Sequence, residues 1–285
     1  FIKVQDGCNN FCSYCIIPYA RGRVRSRKIA DVVSEIKDIA KEGIKEVVIT
    51  GIHIASYGKD FKENIGLIDL LEEINKIDGI ERIRLGSLEP KIITEEFVSR
   101  LGNLDKICEQ FHISLQSGCD TVLKRMNRKY NTEEVEKCIE LLRKKYPTVI
   151  FTADVIVGFP GETEEEFNIT YEFLKKIRFY KIHTFKYSRR KGTVAEKMPN
   201  QISPEVQEQR SKKVIELSNE MQKEIDEQYL NKKVEVLFEE KQGEYYKGHT
   251  KNYMMVNAKS EEDLTNKIRE VELIEIRENE LIGKY

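Results

Sequence analysis

Apolar positions recur along this chain in two alternating rhythms, one of helical spacing and one of short buried runs. The opening Phe1-Ile2-Lys3-Val4 is strand-like. Val32, Val33, Ile36, Ile39 and Ala40 then lie on one helical face, closed by Gly43, and a buried-strand run follows at 45–50. The alternation predicts a helix near 67–77, a strand near 80–86, a short helix near 94–101 and a strand near 107–115. Helices near 119–127 and 132–145, a strand near 149–157, a helix from 164 and a strand near 180–187 complete the series. Asn131 with Glu134, and Thr163 with Glu166, have the spacing of capping boxes. Alternating strands and helices imply a parallel sheet with right-handed crossovers. About six units are present, whereas a complete eight-unit barrel takes about 250 residues. An open, partial (β/α)6 barrel is therefore expected over residues 1–190.

A different texture follows. Residues 191–230 read as a linker and one long helix, opened by Ser203-Pro204 and running to about 229, with Val214, Leu217, Met221 and Ile225 on one face. From 231 to 285, Val234, Val236 and Phe238, and later Val271 and Leu273, alternate with polar residues, and Gly243 and Gly248 punctuate short segments. This predicts a small antiparallel β-barrel.

Composition narrows the classes. With 285 residues, 40% hydrophobic, the chain is too apolar to be disordered throughout. Its 48 Lys+Arg nearly cancel its 49 Asp+Glu, so it does not coat nucleic acid wholesale; any such binding comes from local basic patches. No apolar run of about 18 residues predicts a transmembrane helix, and no signal peptide opens the chain. It starts at Phe1 without an initiator Met, which reads as a processed chain or an excised piece. Six cysteines, three clustered at 8, 12 and 15 and three scattered at 108, 119 and 138, make a poor disulfide framework. A reducing cytoplasm and a metal site fit better.

The run Cys8-Asn9-Asn10-Phe11-Cys12-Ser13-Tyr14-Cys15 carries the strongest chemical signal. Three thiolates on one loop suit zinc, which wants four ligands in a structural site, or a cubane iron–sulfur cluster. No fourth Cys or His lies nearby, the nearest histidine being His53. Three cysteines for four irons leave one iron open, as a catalytic site requires. A zinc knuckle or incidental surface thiols are the plain alternatives. The loop follows the first strand, at the end of the barrel where such folds keep their chemistry.

With an aromatic Tyr14 before the last cysteine, the motif resembles the radical S-adenosylmethionine (radical SAM) signature. The runs Asp6–Cys12, Ile16–Gly22, Arg25-Ser26-Arg27, Leu115-Gln116-Ser117-Gly118, Lys124-Arg125-Met126-Asn127-Arg128 and Val157–Thr163 are similar to its methylthiotransferase branch. Thr50-Gly51-Ile52-His53 with Ser56-Tyr57-Gly58 is most similar to the bacterial enzymes acting on N6-threonylcarbamoyladenosine (t6A) in tRNA. The terminal barrel is similar to the TRAM domain with which these enzymes hold RNA.

The resemblance implies that Cys8, Cys12 and Cys15 hold a [4Fe-4S] cluster whose open iron chelates SAM. Reductive cleavage of SAM gives a 5′-deoxyadenosyl radical, the hard chemistry being the cofactors' own. It further implies abstraction of hydrogen from C2 of t6A at position 37 of an ANN-decoding tRNA, and conversion to the 2-methylthio derivative. Flavodoxin or ferredoxin is the implied electron donor, and the chain is read as a monomer. Full family members carry an N-terminal domain whose three cysteines bind a second [4Fe-4S] cluster; this chain begins after it, and Cys108, Cys119 and Cys138 are too dispersed to replace it. Cys119 stands where relatives more often have Ser, and is read as a small buried residue. The alternatives are methylthiolation of a ribosomal-protein aspartate, whose hallmark after the second strand differs, and a non-enzymatic zinc and RNA-binding module.

Strand ends facing the cluster are expected to cradle SAM: Tyr14, Gly51, Ser87 with Glu89, Gln116, Asp154, and Val157 at the head of the turn that lines the adenine. A carboxylate in an apolar strand is costly unless paired, so Asp154 is expected to face a ligand or Arg128. Phe185, Tyr187 and His112 read more readily as core. Arg21, Arg23, Arg25, Arg27 and Lys28, and then Arg189, Arg190 and Lys191, form basic runs suited to phosphates. Tyr245, Tyr246, His249, Lys251 and Tyr253 would bring the small barrel to exposed RNA loops, where bases are splayed out.

Overall fold

The computed structural model describes residues 1–285. Strands β1 (Ile2–Asp6), β3 (Glu46–Gly51) and β4 (Arg82–Leu85) pair in parallel, and a two-residue antiparallel strand β2 (Arg25–Ser26) edges β1. Strands β5 (Gln110–Gln116), β6 (Ile150–Val157) and β7 (Lys181–Lys186) form a second parallel sheet. Two isolated parallel bridges, Ile83 to Ile107 and Leu88 to Ile113, join the halves across the β4–β5 seam. Six parallel strands thus make the open barrel that the alternation predicts.

Helices α1 (Ile17–Ala20), α2 (Ile29–Lys41), α3 (Leu67–Asn75), α4 (Glu95–Leu101), α5 (Asp120–Arg125), α6 (Thr132–Lys145) and α7 (Glu164–Ile177) form the crossovers. Both expected capping boxes are formed, by Asn131 with Glu134 and by Thr163 with Glu166. On β5 the pleat sends Phe111, Ile113 and Leu115 into the helix-packed core, while Gln110 and His112 face the lumen. The lumen-facing positions are polar, so the barrel encloses a wet cavity rather than a packed centre.

Helix α8 (Pro204–Glu227), capped by Ser203, carries the chain to a closed five-stranded barrel. Its strands are β8 (Lys233–Gln242), β9 (Tyr245–Thr250), β10 (Met255–Lys259), β11 (Lys267–Arg277) and β12 (Glu280–Lys284). All its pairs are antiparallel except β10 with β12, the parallel pair that closes the ring.

The small barrel docks on the lower, strand-entry end of the large one. Arg82 is almost fully buried and donates to the His249 carbonyl at 2.9 Å and the Glu235 carbonyl at 3.2 Å. Arg84 pairs with Glu46 at 2.7 Å, donates to the Lys251 carbonyl at 3.3 Å, and lies 4.8 Å from the Tyr253 ring centre. The β9–β10 turn thereby closes the floor of a cavity of about 810 Å³.

Candidate active site

The cysteine loop leaves β1 at the strand-exit end. Gly7 makes the exit possible: its φ is +72°, and a Cβ there would lie 1.9 Å from the Arg23 carbonyl oxygen. Cys8 N–H donates to the Gly22 carbonyl at 3.1 Å, which ties the loop to its own return. Cys8, Cys12 and Cys15 are free thiols, each partly exposed. Burial pushes the Cys8 and Cys15 thiols up from the ordinary range. The three thiols are not drawn together into a closed metal cage.

The far side of the loop is held by the residues just after α5, where the Lys124–Arg128 motif acts through both backbone and side chains. Ser13 donates to the Met126 carbonyl at 3.0 Å through its N–H and to the Arg125 carbonyl at 2.8 Å through its hydroxyl. Asn127 Nδ2 donates to the Phe11 carbonyl at 2.8 Å, which steadies Phe11 at a φ of 49°. Arg128, nearly buried, donates from Nη1 to Cys12 Sγ at 3.2 Å and from Nε to the Tyr130 hydroxyl at 2.9 Å. The buried guanidinium thus gives the Cys12 sulfur a charge-assisted hydrogen bond.

Beneath the loop, Glu89 gathers three partners. Its Oε2 accepts from Asn10 Nδ2 at 2.6 Å and lies 3.0 Å from His53 Nε2 and 3.4 Å from Arg128 Nη2. Burial pushes this carboxyl up, yet the His53 hydrogen bond and the Arg128 charge hold it below the ordinary carboxylate range. Sequence reasoning missed the partners, because His53 follows β3, Glu89 follows β4 and Arg128 follows α5, far apart in the chain.

The expected cofactor residues fall in different places. Tyr14 sits edge-on to Phe159 at 6.4 Å, joining the cysteine loop to the turn after β6. Gly51 lies where a Cβ would come within 2.8 Å of the Gln5 carbonyl oxygen, so its smallness is used by the protein's own packing. Gln116 ends β5 at a φ of 66°, a left-handed conformation rare for a side chain of its size. Ser87 is exposed and lines the lumen. Val157 places its side chain in the main core, and its carbonyl accepts from Tyr187 N–H at 2.9 Å.

Asp154, His112 and Lys251 each find a partner within the protein. Asp154 does not meet Arg128; it pairs with His112 Nε2 at 3.2 Å inside the lumen, because it lies lower on its strand than the cysteine loop reaches. His112 also bonds Thr152 Oγ1 at 2.8 Å, so it is satisfied, but beside a cavity and not in an apolar core. Lys251 is partly exposed at the junction between the barrels and donates to the Asp105 carbonyl at 2.7 Å, while neighbouring Tyr253, itself exposed, stacks on His249 at 4.5 Å.

The basic runs do share one side. The segment after β7 packs on the cysteine loop through Ala195 N–H to the Ser13 carbonyl at 2.8 Å, and Gly192 lies against Ile16. Arg189 and Arg190 are exposed there, as are Arg21 and Arg23. Arg25 is engaged with Asp6 at 3.6 Å and Arg27 with Glu35 at 2.6 Å.

An open parallel barrel with three free thiols on the loop after its first strand defines the class. The profile of the Radical SAM superfamily matches residues 2–174, and the chain belongs to that superfamily, whose members use a [4Fe-4S] cluster and SAM. It is 43% identical over 287 residues to the tRNA-2-methylthio-N(6)-dimethylallyladenosine synthase of Alkaliphilus oremlandii, covering 100% of this chain and 61% of that protein. It is 43% identical over 279 residues to the threonylcarbamoyladenosine tRNA methylthiotransferase of Bacillus subtilis, covering 96% of this chain and 62% of that protein. The chain thus spans less than two thirds of the length of these relatives. Among solved structures, methylornithine synthase superposes with a TM-score of 0.56 at 12% identity, covering 78% of this chain and 62% of that one. The radical S-adenosylmethionine methyltransferase of Kitasatospora setae, with cobalamin and a [4Fe-4S] cluster bound, superposes with a TM-score of 0.55 at 21% identity, covering 65% of this chain and 36% of that one. Both likenesses describe the fold.

Proposed function

We propose that this chain is the SAM-cleaving and tRNA-holding part of a cytoplasmic tRNA methylthiotransferase that acts on t6A at position 37. The observation that carries this reading is the cysteine loop itself: three free thiols, one against a buried guanidinium, flanked by two exposed basic segments. No helix is long and apolar enough to cross a membrane.

Cys8, Cys12 and Cys15 hold the cluster in this proposal, and Asn10 N–H, 3.4 Å from Cys8 Sγ, and Arg128 orient two of the sulfurs. The cluster and SAM, when bound, supply the electron and the radical. Tyr14, Gly51, Gln116 and the turn after Val157 form the upper rim where SAM lies, while Ser87 and Asp154 line the cavity below. Glu89 keeps Arg128, His53 and Asn10 in register under the loop. Arg21, Arg23, Arg189 and Arg190 hold the phosphates of an ANN-decoding tRNA. Flavodoxin or ferredoxin delivers the electron, and the enzyme works as a monomer.

A second reading of the substrate rests on the equal likeness to the dimethylallyladenosine enzyme. Anaerobically reconstituted protein, given SAM and dithionite, is expected to form 5′-deoxyadenosine, and a Cys12→Ala variant to form none. Anticodon stem-loops carrying the threonylcarbamoyl group, the dimethylallyl group or neither separate the two substrates. Tightest binding to the threonylcarbamoyl RNA supports the proposal, and tightest binding to the dimethylallyl RNA replaces it with the second reading. A protein that takes up zinc but no iron or sulfide overturns both.

A further inference from the structure

We propose that Tyr19, backed by Phe11 and Arg23, is a stacking platform for an unpaired RNA base beside the cysteine loop. The inference rests on the tRNA reading above and deepens it. Tyr19 lies on α1, four residues after Cys15, and is 64% exposed, among the most exposed large apolar side chains of the chain. Its ring meets Phe11 edge-on at 5.7 Å, and Phe11 belongs to the cysteine loop. The Arg23 guanidinium covers the Phe11 ring at 4.9 Å. The three side chains therefore form one continuous ledge, anchored at its inner end by the bond from Asn127 to the Phe11 carbonyl.

A single exposed tyrosine is ordinary on a protein surface; here it is the neighbouring groups that point to a partner. Arg27 pairs with Glu35 and Arg25 shares Asp6 with Lys3, but Arg21 and Arg23 on the same strip form no ion pair with a carboxylate. A free aromatic face framed by uncompensated guanidinium groups suits a base flanked by phosphates, since bases stack on aromatic side chains and on Arg planes. A protein partner would ask for carboxylates facing these arginines. Duplex RNA is also a poor fit, because its bases are already stacked. The ledge therefore selects unpaired nucleotides, such as those of an anticodon loop.

The test is binding of a fluorescein-labelled anticodon stem-loop, and of a fully paired RNA of equal length, to the reconstituted chain at several salt concentrations. Tyr19→Ala is expected to weaken stem-loop binding about tenfold, to leave duplex binding unchanged and to leave the salt slope unchanged. Tyr19→Phe keeps the ring and stays within about twofold of wild type. Arg23→Gln reduces the salt slope by about one ion. Tyr285→Ala, which removes an exposed tyrosine far along the chain, is the control and changes nothing. Melting temperatures check that the variants fold. If wild type binds the stem-loop and Tyr19→Ala binds it equally well, the platform is overturned while the RNA reading stands. Equal weakening toward duplex and stem-loop also overturns stacking. If wild type binds no RNA at all, the reading beneath the proposal fails with it.

Discussion

Arg128 illustrates how one side chain can serve a site it does not belong to by motif. It is nearly buried, touches Cys12 Sγ at 3.2 Å and stands 3.4 Å from Glu89. Burying a guanidinium costs several kcal/mol unless charges and acceptors surround it, and here both do. Arg128→Gln removes the charge while leaving a hydrogen-bonding side chain. The expected outcome is less iron and sulfide retained per chain after anaerobic reconstitution. Stability should also fall, by about 1–3 kcal/mol, because Glu89 loses its cation. Full iron content with an unchanged melting curve would show that Cys12 does not depend on this contact.

Helix α8 joins the two barrels, but it also clamps the turn after β6. Gln207 Nε2 donates to the Gly158 carbonyl at 3.3 Å, and Arg210 Nη1 donates to Glu162 at 2.8 Å and to its carbonyl at 3.0 Å. Gly158, at a φ of +70°, gives its N–H to the same Glu162 carboxylate at 2.6 Å. Burial pushes the Glu162 carboxyl up, against the pull of the Gly158 N–H and Arg210. Arg210→Met strands that carboxylate in the interior. A loss of about 3 kcal/mol is expected in urea unfolding, with part of it recovered when Glu162→Gln is added. The turn contains Phe159, the ring against Tyr14, so the single variant should also loosen the loop face. An additive double mutant would show that the pair acts independently and that the clamp is not one unit.

Across the whole molecule, the junction between the barrels carries a titrating group. Asp226, 1% exposed, accepts from the Tyr180 hydroxyl at 3.0 Å, and Tyr180 packs with the core of the small barrel. Burial pushes its carboxyl up to about 6 from an ordinary 3.8. The folded state then binds this proton more tightly than the unfolded chain does. The contribution is complete below about pH 4 and is lost as the pH rises through about 6, a change on the order of 3 kcal/mol. Asp226→Asn should flatten stability between those limits and raise it at pH 7, read by urea unfolding at a series of pH values. Parallel profiles for the two proteins would place the proton elsewhere.

Element type was legible in the sequence because burial repeats at the period of each element. Val47 and Ile49 alternate toward the helices on β3, and Val32 and Ile36 recur on α2, so pattern alone yields strands and helices in order. The cysteine loop was legible for a related reason: its three cysteines lie within eight residues, so local spacing alone puts them on one loop. Partners distant in the chain were not legible. Nothing in their local sequence signals that Arg82 and Arg84 meet the carbonyls of His249 and Lys251 on the small barrel. That Lys251 and Tyr253 stand at the junction between the barrels, and that Tyr19 stands exposed beside the cysteine loop, are likewise tertiary facts. Asp154 was expected to face a ligand or Arg128; it lines the cavity, paired there with His112. A charged side chain is buried or exposed according to whether a compensating group arrives from elsewhere in the chain. That depends on how the two barrels dock and how the strands stagger, which neither periodicity nor motif spacing encodes.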